Sequence, residues 1–146
     1  MKKILAFSLY GPLAASHRVR FKQYSIYAQQ IGYSLSITSL LSDRYLTSMN
    51  NSTRASIRDV LCAYIRRIII LLTQARGAGL IVIYGELFPF LPGFLESLFI
   101  PSRFIYDLYD AFFLKYTRGN YRFLEPLMST KFEKLICSAS MVTAGN

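Results

Sequence analysis

The sequence predicts a doubly wound α/β domain built on a parallel sheet. Short apolar runs alternate with longer amphipathic ones along the whole chain. Most of the short runs are apolar throughout, as strands covered on both faces require. Glycine and proline punctuate the runs at Gly11-Pro12, Gly32, Gly77, Gly79 and Pro101.

Taken in order, Lys3 to Leu9 reads as a buried strand stopped by the turn Tyr10-Gly11-Pro12. Ser16 to Ile31 reads as a helix, with Ser16 as N-cap and Gly32 as its stop; Val19, Tyr24, Tyr27, Ala28 and Ile31 form its apolar stripe. Tyr33 to Ser39 alternates apolar and polar residues, a strand with one wetter face. The polar stretch Ser42 to Thr53 reads as a loop. Arg54 to Arg76 is the longest expected helix, burying Ile57, Leu61, Ile65, Ile68 and Leu72. Leu80 to Tyr84 is a charge-free central strand, and a short helix is expected to start at Pro92. Phe104 to Asp107 is the fourth strand, Glu125 to Ala139 a helix with Pro126 near its start, and Met141 to Thr143 opens a fifth strand.

With 146 residues and 16.7 kDa the chain is expected to form one domain, residues 1–146. A hydrophobic content of 53% excludes intrinsic disorder, because the chain has enough apolar surface to offset its ordering entropy. No uncharged apolar run reaches the roughly 20 residues a spanning helix needs, and Gly11-Pro12 cuts the apolar run that follows Met1-Lys2-Lys3 before it makes a secretory signal. A cytoplasmic location is expected, peripheral on the inner membrane face if the chain docks there. Cys62 and Cys137 sit in no CxxC pair and away from His17, so no zinc site or disulfide framework is expected; both read as small core residues. No metal or cofactor site is expected.

Lys and Arg number 17 against eight Asp and Glu, a net charge of +9, and Arg supplies eleven of the 17. Guanidinium groups suit phosphate and carboxylate, so an anionic partner or surface is favoured. The arginines are spread over several elements and no nucleic-acid-binding motif is present, so nucleic acid is not the expected partner.

In a parallel sheet, ligands bind outside the carboxyl ends of the strands. The loop after the first strand runs Tyr10-Gly11-Pro12-Leu13-Ala14-Ala15-Ser16-His17-Arg18-Val19-Arg20. It has neither GxGxxG nor P-loop spacing, but a helix start with Arg18 or Arg20 beside it could hold an anion. A plain connector with solvated arginines is the competing reading, and His17 reads as a loop or capping residue. Glu86 follows the third strand in an apolar context, so it must be paired, solvated or functional. Asp107 and Asp110 end the fourth strand, able to orient hydroxyls or accept a proton. Alternatively, Asp107 pairs with an arginine and Asp110 caps the next segment.

Four segments resemble the N-terminal half of glycosyltransferase family 4. They are Ser16-His17-Arg18-Val19-Arg20; Glu86-Leu87-Phe88-Pro89-Phe90-Leu91-Pro92 with Glu96; Tyr106-Asp107-Leu108-Tyr109-Asp110-Ala111-Phe112-Phe113; and Val142-Thr143-Ala144-Gly145-Asn146. The resemblance implies one Rossmann-like half of a GT-B architecture, which moves a sugar from a nucleotide-sugar donor to a glycan or lipid-linked acceptor, usually without bound metal. It implies catalytic roles for Asp107 and Asp110, and substrate binding by Gly11, Ser16, Arg18, Arg20 and Glu86. Tyr109 stands where the family usually carries an acid, and Leu114 where it often carries a histidine. The family's donor-binding domain is absent from these residues, so the chain is expected to be truncated and inactive alone. The alternative function is a non-catalytic basic module that docks on an anionic membrane or partner through Arg54, Arg58, Arg66 and Arg67.

Overall fold

The computed structural model describes residues 1–51, 56–100, 103–118 and 120–145. Five strands form one sheet: β1 (Lys2–Ser8), β2 (Tyr33–Ser39), β3 (Leu80–Tyr84), β4 (Ile105–Leu108) and β5 (Met141–Ala144). Their order is β2-β1-β3-β4-β5 and every pairing is parallel. This is the expected doubly wound, Rossmann-like α/β sheet. The chain steps outward from β1 to β2, then crosses back to β3, so the order reverses between β1 and β3.

Alternation along the strands separates two cores. On one face Leu5, Phe7, Ile81, Ile83, Phe104 and Tyr106 pack with Leu71 and Ala75 of the long helical segment and with Leu135. On the other face Ala6 and Tyr84 pack with Phe21, Leu35, Ile37, Val82 and Phe112.

The helices are α1 (Ala15–Arg20), α2 (Ser25–Gln30), α3 (Asp43–Asn50), α4 (Ile57–Gln74), α5 (Gly93–Glu96), α6 (Leu114–Thr117), α7 (Glu125–Met128) and α8 (Lys131–Ser138). Several differ from the sequence expectation. The first helix is broken at Phe21, whose φ of −129° leaves the helical range while its ring packs edge-on to Tyr84. Ser16 is consequently not the N-cap; Ala14 holds that position. Of the expected stripe only Ala28 is buried, and Val19, Tyr24, Tyr27 and Ile31 are exposed. The stretch expected as a loop contains α3, started by Ser42, whose hydroxyl accepts from the Tyr45 amide. The last expected helix is two, α7 and α8, and β5 is an exposed edge strand.

The largest correction concerns α4. Ile57, Leu61, Ile65 and Leu72, expected inside, are each at least half exposed, and Arg67 and Leu71 are buried instead. Arg67 therefore cannot serve as a membrane-facing cation. Its guanidinium donates to the carbonyls of Ser8 (2.7 Å), Thr38 (3.0 Å) and Leu87 (3.3 Å), tying together the carboxyl ends of β1 and β2 and the loop after β3. Burial lowers its pKa to about 9. Arg66 is exposed but donates to the carbonyls of Ser39 and Leu40, Arg58 is exposed, and Arg54 lies outside the described residues. Cys62 and Cys137 are exposed thiols, not core residues.

Candidate functional site at the carboxyl rim

The strand register builds the site. Tyr84 pairs with Asp107 and Asp107 with Thr143, so three polar side chains form one row across β3, β4 and β5. Arg20, at the end of α1, reaches this row from the loop after β1. Its Nη2 lies 2.7 Å from Asp107 Oδ1, and Thr143 Oγ1 donates to the same oxygen at 2.8 Å. The guanidinium carbon sits 4.1 Å from the centre of the Tyr109 ring. Tyr109 thus offers Arg20 an aromatic face. Its ring in turn packs where a Cβ on Gly145 would lie 2.5 Å away, so only glycine fits there.

Asp107 is almost buried and doubly engaged, which matches the arginine-paired alternative from the sequence. Asp110 is exposed and accepts one hydrogen bond, 2.7 Å from the Tyr84 hydroxyl. Burial first, then this bond, raises the Tyr84 pKa, so the phenol stays a donor. Asp110, exposed beside the row, has acceptor capacity left over. Arg20 Nε is buried and has no hydrogen-bond partner among the described residues.

The loop after β1 is folded tightly. A Cβ at Gly11 would lie 2.6 Å from Asp43 Oδ1, and that oxygen accepts from the Leu13 amide at 3.1 Å. Arg18 turns back to donate to the carbonyls of Pro12 and Leu13, so it closes the loop and does not join Arg20 at the row. Ser16 lies inside the six-residue α1. His17 is buried, with Nδ1 3.3 Å from the Tyr10 carbonyl and 3.5 Å from Ser8 Oγ, a loop-holding position as expected.

Glu86 is corrected most sharply. It is fully buried, off the open rim, and both carboxylate oxygens are engaged. Tyr116 donates to Oε1 at 2.7 Å, Lys115 pairs with Oε2, and Lys131 Nζ lies 3.3 Å from Oε1. Lys131 also sits 3.3 Å from Glu96, which accepts from the Phe88 amide. The two acids and two lysines hold the 85–92 loop in place. That loop includes Gly85 at φ 68°, where a Cβ would strike the Phe112 ring, and Phe90 in the left-handed region at φ 61°. An aromatic residue there is strained. Its amide donates to the Tyr116 hydroxyl, and its ring packs edgewise on Tyr116 and Tyr121.

No family model, curated protein or solved structure matches this chain. The site therefore stands on its geometry. It joins Arg20, Asp107 and Asp110, leaves Gly11 in the adjoining loop and Ser16 and Arg18 on α1, and removes Glu86 to the interior. Sequence reasoning missed three participants. Thr143 follows from strand register, Tyr84 from its place at the carboxyl end of β3, and Asp43 only from the unseen helix α3.

Proposed function

We propose that the chain is the acceptor-side domain of a glycosyltransferase of GT-B type, working with a nucleotide-sugar donor held by a second domain outside these residues. One observation carries the reading. At the carboxyl rim of a doubly wound sheet, Arg20 anchored on Asp107 and the open carboxylate of Asp110 meet beside Tyr84. Asp110 would orient or deprotonate an acceptor hydroxyl, with Tyr84 fixing its carboxylate. Arg20, held by Asp107, would face the departing phosphate charge. Glu86 would act only by holding the loop.

The test is a fusion to the donor-binding domain of a GT-B enzyme, assayed against a panel of sugar and lipid-linked acceptors. Transfer is expected in the fusion and absent from the isolated chain, and Asp110→Asn should lower it about 100-fold or more. Turnover by the 146 residues alone, or a fusion indifferent to Asp110→Asn, would reject the reading.

A second reading, docking on an anionic bilayer, is favoured by the outward stripe Ile57, Leu61, Ile65, Ile69 and Leu72 on α4. No helix among the described residues is long and apolar enough to cross a membrane. Such a helix would lie in the interface, with Arg58 beside the stripe. Leu61→Asp with Ile65→Asp should cut partition onto anionic vesicles about tenfold or more, whereas Arg67→Gln, a change to a buried residue, should not act through contact with lipid. Vesicle binding untouched by the double aspartate variant would exclude α4 as the contact.

A further inference from the structure

A cavity lies at the opposite, amino-terminal rim of the sheet, far from the row that carries the proposed chemistry. It measures about 660 Å³, within the range of roughly 300–1,000 Å³ usual for small-molecule sites. Leu71 and Leu72 of α4 with Ala75 just beyond it form one wall, and Phe99, Ile100 and Phe104 another. The amino ends of β3 and β4 close the floor. Two cations, Arg76 and Arg103, line it, and among the described residues no aspartate or glutamate does. Both arginines are exposed, and neither forms an ion pair among the described residues. Leu72 and Leu98, more than half exposed, extend the apolar wall to the mouth.

We propose that this groove takes the acyl chain of a single-chain anionic amphiphile, with Arg76 and Arg103 on its phosphate or carboxylate head. The wall and the head group are complementary in the two ways such a ligand needs. The apolar lining gains by covering a chain that water excludes. The guanidinium pair, lacking internal acids, is free to make charge-assisted hydrogen bonds to an anion. Neither a neutral amphiphile nor a bare anion satisfies both halves. The inference rests on neither reading of function above, since the groove contains none of Arg20, Asp107 and Asp110, and a monomeric ligand needs no bilayer.

The experiment is titration calorimetry of the 146-residue protein with dodecyl phosphate, dodecyl maltoside and inorganic phosphate, each amphiphile kept below its micelle concentration. Dodecyl phosphate is expected to bind at one site, at least tenfold tighter than the maltoside, and inorganic phosphate to give no saturable signal. Arg76→Gln with Arg103→Gln should remove the preference for the charged head. Leu72→Glu, at an exposed position, should weaken dodecyl phosphate tenfold or more while leaving the thermal melt in place. Equal affinity for the two head groups, saturable binding of phosphate alone, or affinity unchanged in both variants would overturn the proposal. Sedimentation showing a dimer that Leu72→Glu dissociates and dodecyl phosphate does not would overturn it too, assigning the groove to a second copy of the chain.

Discussion

Lys131→Met is expected to cost about 3–5 kcal/mol near pH 8 and clearly less near pH 5. Lys131 has no solvent exposure and stands 3.3 Å from both Glu86 and Glu96. Removing it leaves Glu96 without a cation, and Glu86 with Lys115 alone. Burial already pushes the Glu96 pKa up, and the Lys131 charge is the foremost influence holding it down. Without Lys131 the Glu96 carboxyl rises further above its unfolded value of about 4.3. A carboxyl whose pKa is raised by folding contributes stability that is full below the unfolded pKa and is lost as pH rises through the folded one. The variant should therefore weaken from pH 5 to pH 8 more steeply than the parent. Adding Glu96→Gln should recover part of the loss at pH 8, because the neutral amide can still accept from the Phe88 amide. Urea unfolding at the two pH values checks this. A loss under about 1 kcal/mol, or one equal at both, would show that the network is not a buried charge balance.

The same network explains why the segment after β3 could be located but not interpreted from sequence. Strand and turn signals place Glu86 correctly beyond the third strand. Its partners Lys115 and Lys131 lie 29 and 45 residues onward, on α6 and α8, and no local pattern announces them. Asp107 and Arg20 were easier, because parallel topology alone brings all strand-end loops to one rim. Helix α4 failed for a different reason. Tyr64, Arg67, Ile68, Leu71 and Ala75 follow a helical spacing as good as Ile57, Leu61, Ile65, Ile68 and Leu72. An arginine inside the first set argues against burial until three strand-end carbonyls are seen to receive it. Periodicity could establish the helix but not which side faced the sheet. Ser, Thr and Asn make the stretch containing α3 read as a loop. Ser42 nevertheless caps the helix, and Tyr45 packs against the cluster of Leu9, Leu40 and Leu41.

Alkali should unfold the protein cooperatively between about pH 10 and 12, driven by buried phenols. Burial is the foremost cause raising the pKa of Tyr10, Tyr64, Tyr84, Tyr106 and Tyr116 above the ordinary value of about 10. Nearby acids add to it: Glu86 at Tyr116 and Tyr64, and Glu96 at Tyr106. A phenol neutral in the fold and ionised in the unfolded chain gives stability that is intact below pH 10 and lost as pH rises toward the folded pKa. Each such group contributes a slope of up to about 1.4 kcal/mol per pH unit once the unfolded phenol is ionised. Arg67 works the other way. Its pKa is lowered to about 9 by burial, so above that pH the folded state has shed a proton the unfolded chain keeps, and its contribution rises with pH. Five groups of one sign outweigh one of the other, so the net slope is several kcal/mol per pH unit. That exceeds what a domain with a typical stability of about 5–15 kcal/mol sustains for long. Far-ultraviolet circular dichroism and tyrosinate absorbance should change together. Tyr106→Phe, which gives up only the hydroxyl bond to the Gly85 carbonyl, should make the alkaline slope shallower by about one proton. Stability that is flat to pH 12, or that falls while tyrosinate absorbance stays unchanged, would mean that these phenols are not what the fold protects.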